Sequence, residues 1–497
     1  MVANLADLVR DAAQTRPRHP AVVTDQRVTS WAEVEWQVRA VASGLVARGL
    51  EPGTRVALMQ RNTLEFVTTF FGILRAGMCA VPLNTGYTTS ELSLMISDAD
   101  VRLAVADPSV EPALRRIPDL DVIVTGGDDW RRFTVGSSPL PTDPTDPESL
   151  AVLLFTSGTT GRPKAAMLTH RALLANLEQL SQLQDPPVMT ADDVVLCVLP
   201  LFHIYALNAT LGMVARRGAT IVLNERFDPA VALEAIARHQ VTNVAGAPPM
   251  YIAWSDHDDL ADRLQGVRML VSGAAPLPAT VMRHFEEVTG KPIWEGYGMT
   301  ECSPVITASL VAGRPKAGFV GQPLPGIELQ LRDEAGNVVL EGDPGEIFVR
   351  GDNVFSGYWP DGSGGPDDEG WFATGDVAYS DEDGDLRLVD RIRELIIVSG
   401  FNVYPREVED ALLQMDGVVE AAVMGVTHPY TGEAVKAFVV ASPGSQIDAD
   451  AVQQFAATRL ARFKCPTIVD VVSDLPHSVT GKVSKGRLRE AQGVTSL

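Results

Sequence analysis

Cysteine is scarce and scattered. Cys79, Cys197, Cys302 and Cys465 form no C-x-x-C pair, so neither a zinc site nor a disulfide framework is expected. The histidines include no H-E-x-x-H, and no apolar run approaches the roughly 18 residues of a membrane span. Basic residues are in deficit: 41 Lys and Arg stand against 63 Asp and Glu, a formal charge of -22. That balance argues against a nucleic-acid binder or an acidic-membrane binder, which need clustered cations. It does not exclude anionic substrates, because one loop can be locally positive. The opening "MVANLADLVRDAAQTRP" lacks a signal-type apolar core. It places Leu5, Leu8, Val9 and Ala12 at helical spacing among charges, so an amphipathic helix and a cytoplasmic location are expected. There is no internal repeat and no low-complexity tail.

What is present is a long globular chain. Its 497 residues are about three domains' worth, with 45% hydrophobic and 21% charged residues. From about residue 150 to 300, β-rich runs alternate with helical patterns. "VVLCVLP" (194–200), "ATIVLN" (219–224), "VTNVAGAPP" (241–249) and "VRMLVSG" (267–273) read as buried strands. "PATVMRHFEEVTG" reads as a helix with Pro278 near its start and Gly290 beyond its end. Such alternation predicts an α/β fold: a large N-terminal domain with mainly parallel sheets flanked by helices, and ligands at the carboxyl ends of strands. Beyond residue 394 the pattern becomes a compact α+β unit of about a hundred residues. "PREVEDALLQM" and "DADAVQQFAATRLARF" read as helices, and "VVEAAVMGV", "EAVKAFVVA" and "TIVDVV" as strands. The expected division is residues 1–390, a hinge at 391–394 and a small mobile domain at 395–497. "PDGSGGPDDEG" (360–370) reads as a surface loop.

The stretch "LLFTSGTTGRPKAAMLTH" (153–170) holds an unusual density of small residues before Lys164. A Walker loop needs its last glycine directly before the lysine and a hydroxyl after it. Here Arg162 and Pro163 intervene after Gly161, and Ala165 follows. A mononucleotide P-loop is therefore not expected. Backbone N–H groups and the hydroxyls of Thr156, Ser157, Thr159 and Thr160 can still wrap a polyphosphate. The plainer alternative is a polar strand-to-helix connection.

Four more stretches follow in order: "GYGMTE" (296–301), "WFATGD" (371–376), "DRIRELIIVSGFNVYPREVE" (390–409) and "TGK" (480–482). Together with the loop before Lys164, they closely resemble the motifs of the adenylate-forming superfamily, which includes acyl- and aryl-CoA synthetases, nonribosomal adenylation domains and firefly luciferase. The resemblance spans nearly the whole chain. It implies a two-step ligase: a carboxylate attacks the α-phosphate of ATP to give acyl-AMP and pyrophosphate, and a thiol then attacks the mixed anhydride.

The resemblance also implies site roles. Thr156, Ser157, Gly158, Thr159, Thr160, Gly161 and Lys164 would hold phosphate. Lys482 would be the adenylation lysine, bridging carboxylate and phosphate oxygens, where preorganised cations help most. Thr300 would contact the α-phosphate and Glu301 would hold Mg²⁺, a hard cation suited to carboxylate and phosphate oxygens. Asp376 would accept from the ribose hydroxyls, with Arg391 a second contact. Gly273, Ala274 and Ala275 would form a small-residue slot beside Tyr297, which offers a face to adenine. Glu295, Gly296 and Gly298 complete the ATP contacts. His203 would border the acyl site and the thiol path, and its setting "PLFHIYALN" (200–208) resembles plant 4-coumarate–CoA ligases. Arg393 stands at the hinge position, where lysine or aspartate is usual.

With no carrier domain in these 497 residues, CoA is the expected acceptor. Ser399, Gly400 and Phe401 would form the thioester-forming face, and Arg462 and Lys464 would meet CoA phosphates. The expected acyl pocket is His203, Tyr205, Ala247, Gly273, Ala274, Gly296, Met299 and Val305. Relatives that take dicarboxylates such as malonate carry a basic residue at the position of Gly296, so a neutral tail is expected, with a side chain at 296 projecting toward it. A medium- or long-chain fatty acid leads. A cinnamate-type aryl acid, or an acyl-AMP ligase loading a carrier protein, is the alternative. A non-catalytic nucleotide sensor is disfavoured, because it would not need Lys482, Glu301 and Asp376 together. The sequence carries no signal of oligomeric state; a homodimer is carried as an expectation.

Overall fold

A computed structural model describes the chain except residues 1–2, 136–139, 141–144, 157–162, 256, 392–393, 395, 399–400, 429–431, 446, 478–482 and 492–497. Packing divides the chain into two compact units. The first is Met1–Glu328 with Val349–Phe372, and the second is Leu329–Phe348 with Ala373–Leu497. Packing thus groups Leu329–Phe348 and Ala373–Asp390 with the C-terminal segment. A division by packing is not a division by a pivot.

The first unit contains a nine-stranded sheet and a six-stranded sheet. The strands expected from the sequence are central to the larger one. Val194–Cys197, Thr220–Leu223, Asn243–Gly246 and Met269–Ser272 all run parallel. Trp294–Gly298 continues the parallel run beside Met269–Ser272, and Val305–Ala308 then pairs with it antiparallel. Continuous apolar strands with both faces covered account for that burial. The helix Ala279–Thr289 ends where expected, with Gly290 at φ 67°, a left-handed conformation that glycine adopts without strain. In the six-stranded sheet, Leu150–Thr156 is followed directly by the antiparallel strand Lys164–Thr169. The connection before Lys164 therefore joins strand to strand, not strand to helix. Alternation of partners across that hairpin buries Ala165 to Thr169 and overrides the helical look of the apolar spacing. The N-terminal helix is Asp7–Thr15, burying Leu8, Val9 and Ala12, with Leu5 buried just ahead of it.

In the second unit, the Gly432–Ala441 strand is flanked by Val418–His428, Ile396–Val398 and Ile468–Val472. The helices Pro405–Leu412 and Ala449–Ala457 supply its apolar core, including Val408, Leu412, Val452 and Ala456. The second helix is shorter than the expected 448–463. It stops at Ala457, and a 3₁₀ turn follows at Arg462–Lys464. Bending there lets Leu460 and Phe463 pack on the same core. Phe372–Ser380 and Leu386–Arg391 form an antiparallel pair joined by an acidic turn. Among the described residues no helix is long and apolar enough to cross a membrane.

Candidate active site

In the first unit, chemistry-bearing residues gather where the strands Met269–Ser272 and Trp294–Gly298 end. Glu301 lies on the 3₁₀ turn Thr300–Cys302 and is 5% exposed. Its Oε1 accepts the Tyr358 hydroxyl at 2.6 Å. The Lys164 ammonium stands 5.1 Å from the centre of the Tyr358 ring, within cation–π range. Lys164 is exposed and heads its strand, and the Thr156 hydroxyl donates to its carbonyl at 3.4 Å. Tyr358 thus links Lys164 to Glu301, the candidate metal carboxylate. Sequence reasoning missed it, since a tyrosine in "SGYWP" carries no chemical signature. A hard cation suits Glu301: a buried carboxylate, already oriented by one strong donor, is a fitting oxygen ligand. Ser157, Gly158, Thr159, Thr160 and Gly161 lie outside the described residues.

The segment 300–305 is held by buried amides that the sequence did not flag. Asn353 Nδ2 donates to the Cys302 carbonyl at 2.8 Å, and Asn208 Nδ2 to the Ser303 carbonyl at 2.7 Å. Asn176 binds both the Val305 carbonyl (2.8 Å) and its N–H (3.1 Å). Gln179 joins Asn176 to Asn353. Of these, only Asn208 falls inside a stretch singled out above, "PLFHIYALN". Buried polar groups left unmade cost far more than made bonds return, so this network fixes one position for Thr300 and Glu301.

Two glycines in "GYGMTE" are required by close approach. A Cβ on Gly298 would lie 2.0 Å from the Pro304 carbonyl oxygen, and one on Gly296 2.8 Å from that of Thr307. This corrects the expectation for Gly296. The first atom of a side chain there meets the backbone of the neighbouring strand, not open pocket, because Gly296 pairs in register with Ala308. Tyr297 between them is only 8% exposed, so its ring is mostly committed to packing. Glu295 is buried, and its Oε1 accepts the Leu277 N–H at 3.1 Å. Ala274 adopts φ 70°, a strained value for a residue with a Cβ, and such strain concentrates at functional loops. Ala275 beside it is half-buried.

Tyr205 opens a π-helix, Tyr205–Gly212, a rare geometry frequent at functional sites. Its ring edge would lie 3.0 Å from a Cβ on Gly273. Among the described residues, the buried hydroxyls of Tyr205 and Ser272 have no hydrogen-bond partner. Burial, and secondarily Cys197, pushes the Tyr205 hydroxyl pKa up, so it stays a neutral donor. His203 sits one turn earlier, its N–H donating to Pro200 and its carbonyl accepting from Leu207. Ala247 is buried and Met299 and Val305 are half-buried in the same unit.

In the second unit, Asp376 is 8% exposed and pairs in register with Arg391. Its N–H donates to the Thr374 hydroxyl at 3.1 Å. Glu346 is nearby; burial first, and the Asp376 charge last, raise its pKa against the lowering effect of the Gly375 N–H. Lys464 is engaged by Glu407 at 2.6 Å, so a CoA phosphate would have to compete for it, whereas Arg462 is exposed. Phe401 is placed by its backbone, in a strand antiparallel to Ile396–Val398. Arg393, Ser399, Gly400 and Lys482 lie outside the described residues. Flanking them, Lys485 bridges Glu394 (2.8 Å) and Glu409 (2.9 Å).

Parallel sheets with a buried carboxylate, a lysine and small-residue loops at the strand ends define a nucleotide-using α/β enzyme. The family model "AMP-binding enzyme" matches residues 9–359, and "AMP-binding enzyme C-terminal domain" matches 407–482. The chain is similar to a long-chain-fatty-acid–CoA ligase of Bacillus subtilis (strain 168), 33% identical over 98% of this chain and 94% of the relative. It is 35% identical to a feruloyl-CoA synthase of an Amycolatopsis species over 97% of each chain. A crystal structure of ATP-bound MatB from Rhodopseudomonas palustris matches with TM-score 0.93 and 36% identity over 99% of each chain. The chain belongs to the AMP-binding enzyme family, and within it is an AMP-forming acyl-CoA synthetase. ATP and CoA are the substrates that fit that family.

Proposed function

We propose that this ligase activates a medium- or long-chain fatty acid. The observation that carries the catalytic reading is Glu301, a buried carboxylate held by Tyr358 beside Lys164. In this reading Glu301 holds Mg²⁺, which when bound neutralises phosphate charge. Lys164 and the hydroxyls of the preceding loop bind polyphosphate, and Thr300 donates to the α-phosphate. Lys482 bridges the acid carboxylate and the α-phosphate as charge develops, and Asp376 with Arg391 fixes the ribose. The small domain then pivots about Arg393 in the 391–394 hinge, withdraws Lys482, and presents Ser399, Gly400 and Phe401 to CoA, with Arg462 near its phosphates. His203 borders the thiol path.

The fatty-acid reading is supported by mostly small or apolar pocket residues and by the name of the Bacillus relative. A second reading is an aryl acid with a hydrogen-bonding tail. It is favoured by the unpartnered buried hydroxyls of Tyr205 and Ser272 and by the name of the Amycolatopsis relative. A panel of acids with ATP and CoA, read by AMP formation, decides between them. Highest kcat/KM on unbranched C8–C16 acids supports the first, and on hydroxycinnamates the second. Lys482→Ala tests the division of labour. It should slow acyl-AMP formation by about 10²–10³ or more, while thioester formation from supplied acyl-AMP survives. Equal loss in both half-reactions refutes it.

A further inference from the structure

The turn joining the strands Phe372–Ser380 and Leu386–Arg391 reads Asp381-Glu382-Asp383-Gly384-Asp385. One carboxylate oxygen from each of Asp381, Asp383 and Asp385 lies within 4.8 Å of the other two. Backbone bonds shape the turn: the Gly384 N–H donates to the Asp381 carbonyl at 2.9 Å, and the Asp381 N–H to that of Asp385 at 3.1 Å. Asp381 Oδ1 accepts the N–H groups of Asp383 (3.1 Å) and Asp385 (2.9 Å). These bonds account for how Asp381 faces inward and need no ligand.

Asp385 is different. It is 1% exposed, and among the described residues neither of its carboxylate oxygens has a hydrogen-bond partner. Among the described residues no ion pair reaches it, and Arg387, two residues on, faces Asp410 at 3.5 Å. A lone carboxylate out of water is strongly unfavourable, and two further carboxylates beside it make it worse. A buried anion with no donor, aimed into a cluster of oxygen ligands, is complementary to a cation.

We propose that this turn binds a hard divalent cation, calcium in preference to magnesium. Calcium sits about 2.3–2.6 Å from each ligand oxygen and accepts irregular geometry, so two of its ligands can lie about 5 Å apart. Magnesium demands a near-ideal octahedron at about 2.0–2.1 Å and is usually held by one or two carboxylates with waters or phosphates. Three carboxylates from one turn exceed the one or two that usually hold magnesium, and calcium takes such a set without ideal geometry. The ion ties together the tip of the hairpin whose first strand carries Asp376 and whose second leads to residue 391. Three ligands from one turn, the remainder being water, place the site among weak ones, with Kd about 10⁻⁴–10⁻³ M.

The test is calorimetric titration of calcium chloride into the chelator-treated full-length protein without nucleotide, with magnesium chloride in parallel. One saturable event per chain is expected for calcium, with magnesium at least about tenfold weaker. Asp385→Asn should weaken calcium binding by about tenfold or more while raising the melting temperature of the cation-free protein, because it removes the unpaired charge. Asp383→Asn, at an exposed position, should weaken binding with an unchanged far-UV circular dichroism spectrum. Glu301→Gln should leave the calcium event intact. Absence of a saturable event, wild-type binding by both aspartate variants, magnesium binding as tight as calcium, or loss of the event in Glu301→Gln would each overturn the proposal.

Discussion

The two units hold their polar residues by different means. In the first, the segment carrying Thr300 and Glu301 is fixed by neutral buried amides: Asn176, Asn208, Gln179 and Asn353, bonded to backbone or to each other. In the second, contacts near the proposed hinge and on the small domain are tied by charge, with Lys485 between Glu394 and Glu409 and Lys464 on Glu407. Buried neutral networks have one satisfied arrangement and lose a great deal when distorted. Partly exposed ion pairs contribute little each and can be exchanged. The neutral network suits a rigid platform, and the ion pairs suit contacts that the proposed pivot would remake.

That contrast breaks most sharply at Gly298. Gly298→Ala puts a methyl 2.0 Å from the Pro304 carbonyl, so the strand pair must separate. A loss of about 3 kcal/mol or more and near-complete loss of pyrophosphate exchange are expected. Gly296→Ala, with 2.8 Å of clearance, should be milder by the same assays. Equal stability of Gly298→Ala and wild type in denaturant titration would show that the platform is not rigid.

The next effect is on pH. His170 is buried, its Nδ1 accepts the Leu5 N–H at 3.1 Å, and burial lowers its pKa to about 4 from the usual histidine value of about 6.5. Between those values the unfolded chain takes up a proton that the folded chain refuses. Stability is therefore full above about pH 6.5 and falls as pH drops toward 4, by about 3 kcal/mol in all. His170→Asn, which keeps an acceptor but cannot charge, should flatten that slope in melts across the range. An unchanged slope would remove His170 as the acid-sensitive point of the first unit.

The smallest effect belongs to the charged contacts. Lys485→Met should cost only about 1–2 kcal/mol. Its kinetic effect is expected mainly on thioester formation, because Glu394 adjoins the proposed pivot. A larger loss in adenylation than in thioester formation, measured in separate half-reactions, would show that Lys485 supports the adenylating pose instead.

Much of the site was legible because phosphate and carboxylate chemistry uses few residue types in tight local spacing. Lys164, Thr300, Glu301 and Asp376 each sit in a short motif. The strands Val194–Cys197, Asn243–Gly246 and Met269–Ser272 fall inside the β-rich runs 194–200, 241–249 and 267–273, and each stops before its run does. What escaped was set by partners distant in sequence. Tyr358 reaches Glu301 across 57 positions, and Asn353 reaches Cys302 across 51. The space beside Gly296 depends on Thr307, which periodicity does not reveal. That Lys164 opens a strand rather than a helix was not legible, because a short apolar run is shared by buried strands and helices.

By itself the sequence determined the parallel α/β core and the small α+β segment after it, since both are written in local apolar periodicity, and the adenylate-forming chemistry was implied by five motifs that resemble those of that superfamily. Only the tertiary structure decided which amides lock the Thr300–Val305 segment, that Tyr358 joins Lys164 to Glu301, and that Asp385 is buried without a donor. Those are matters of what lies across the fold from a residue, and hydrogen-bond satisfaction and desolvation are set there rather than along the chain.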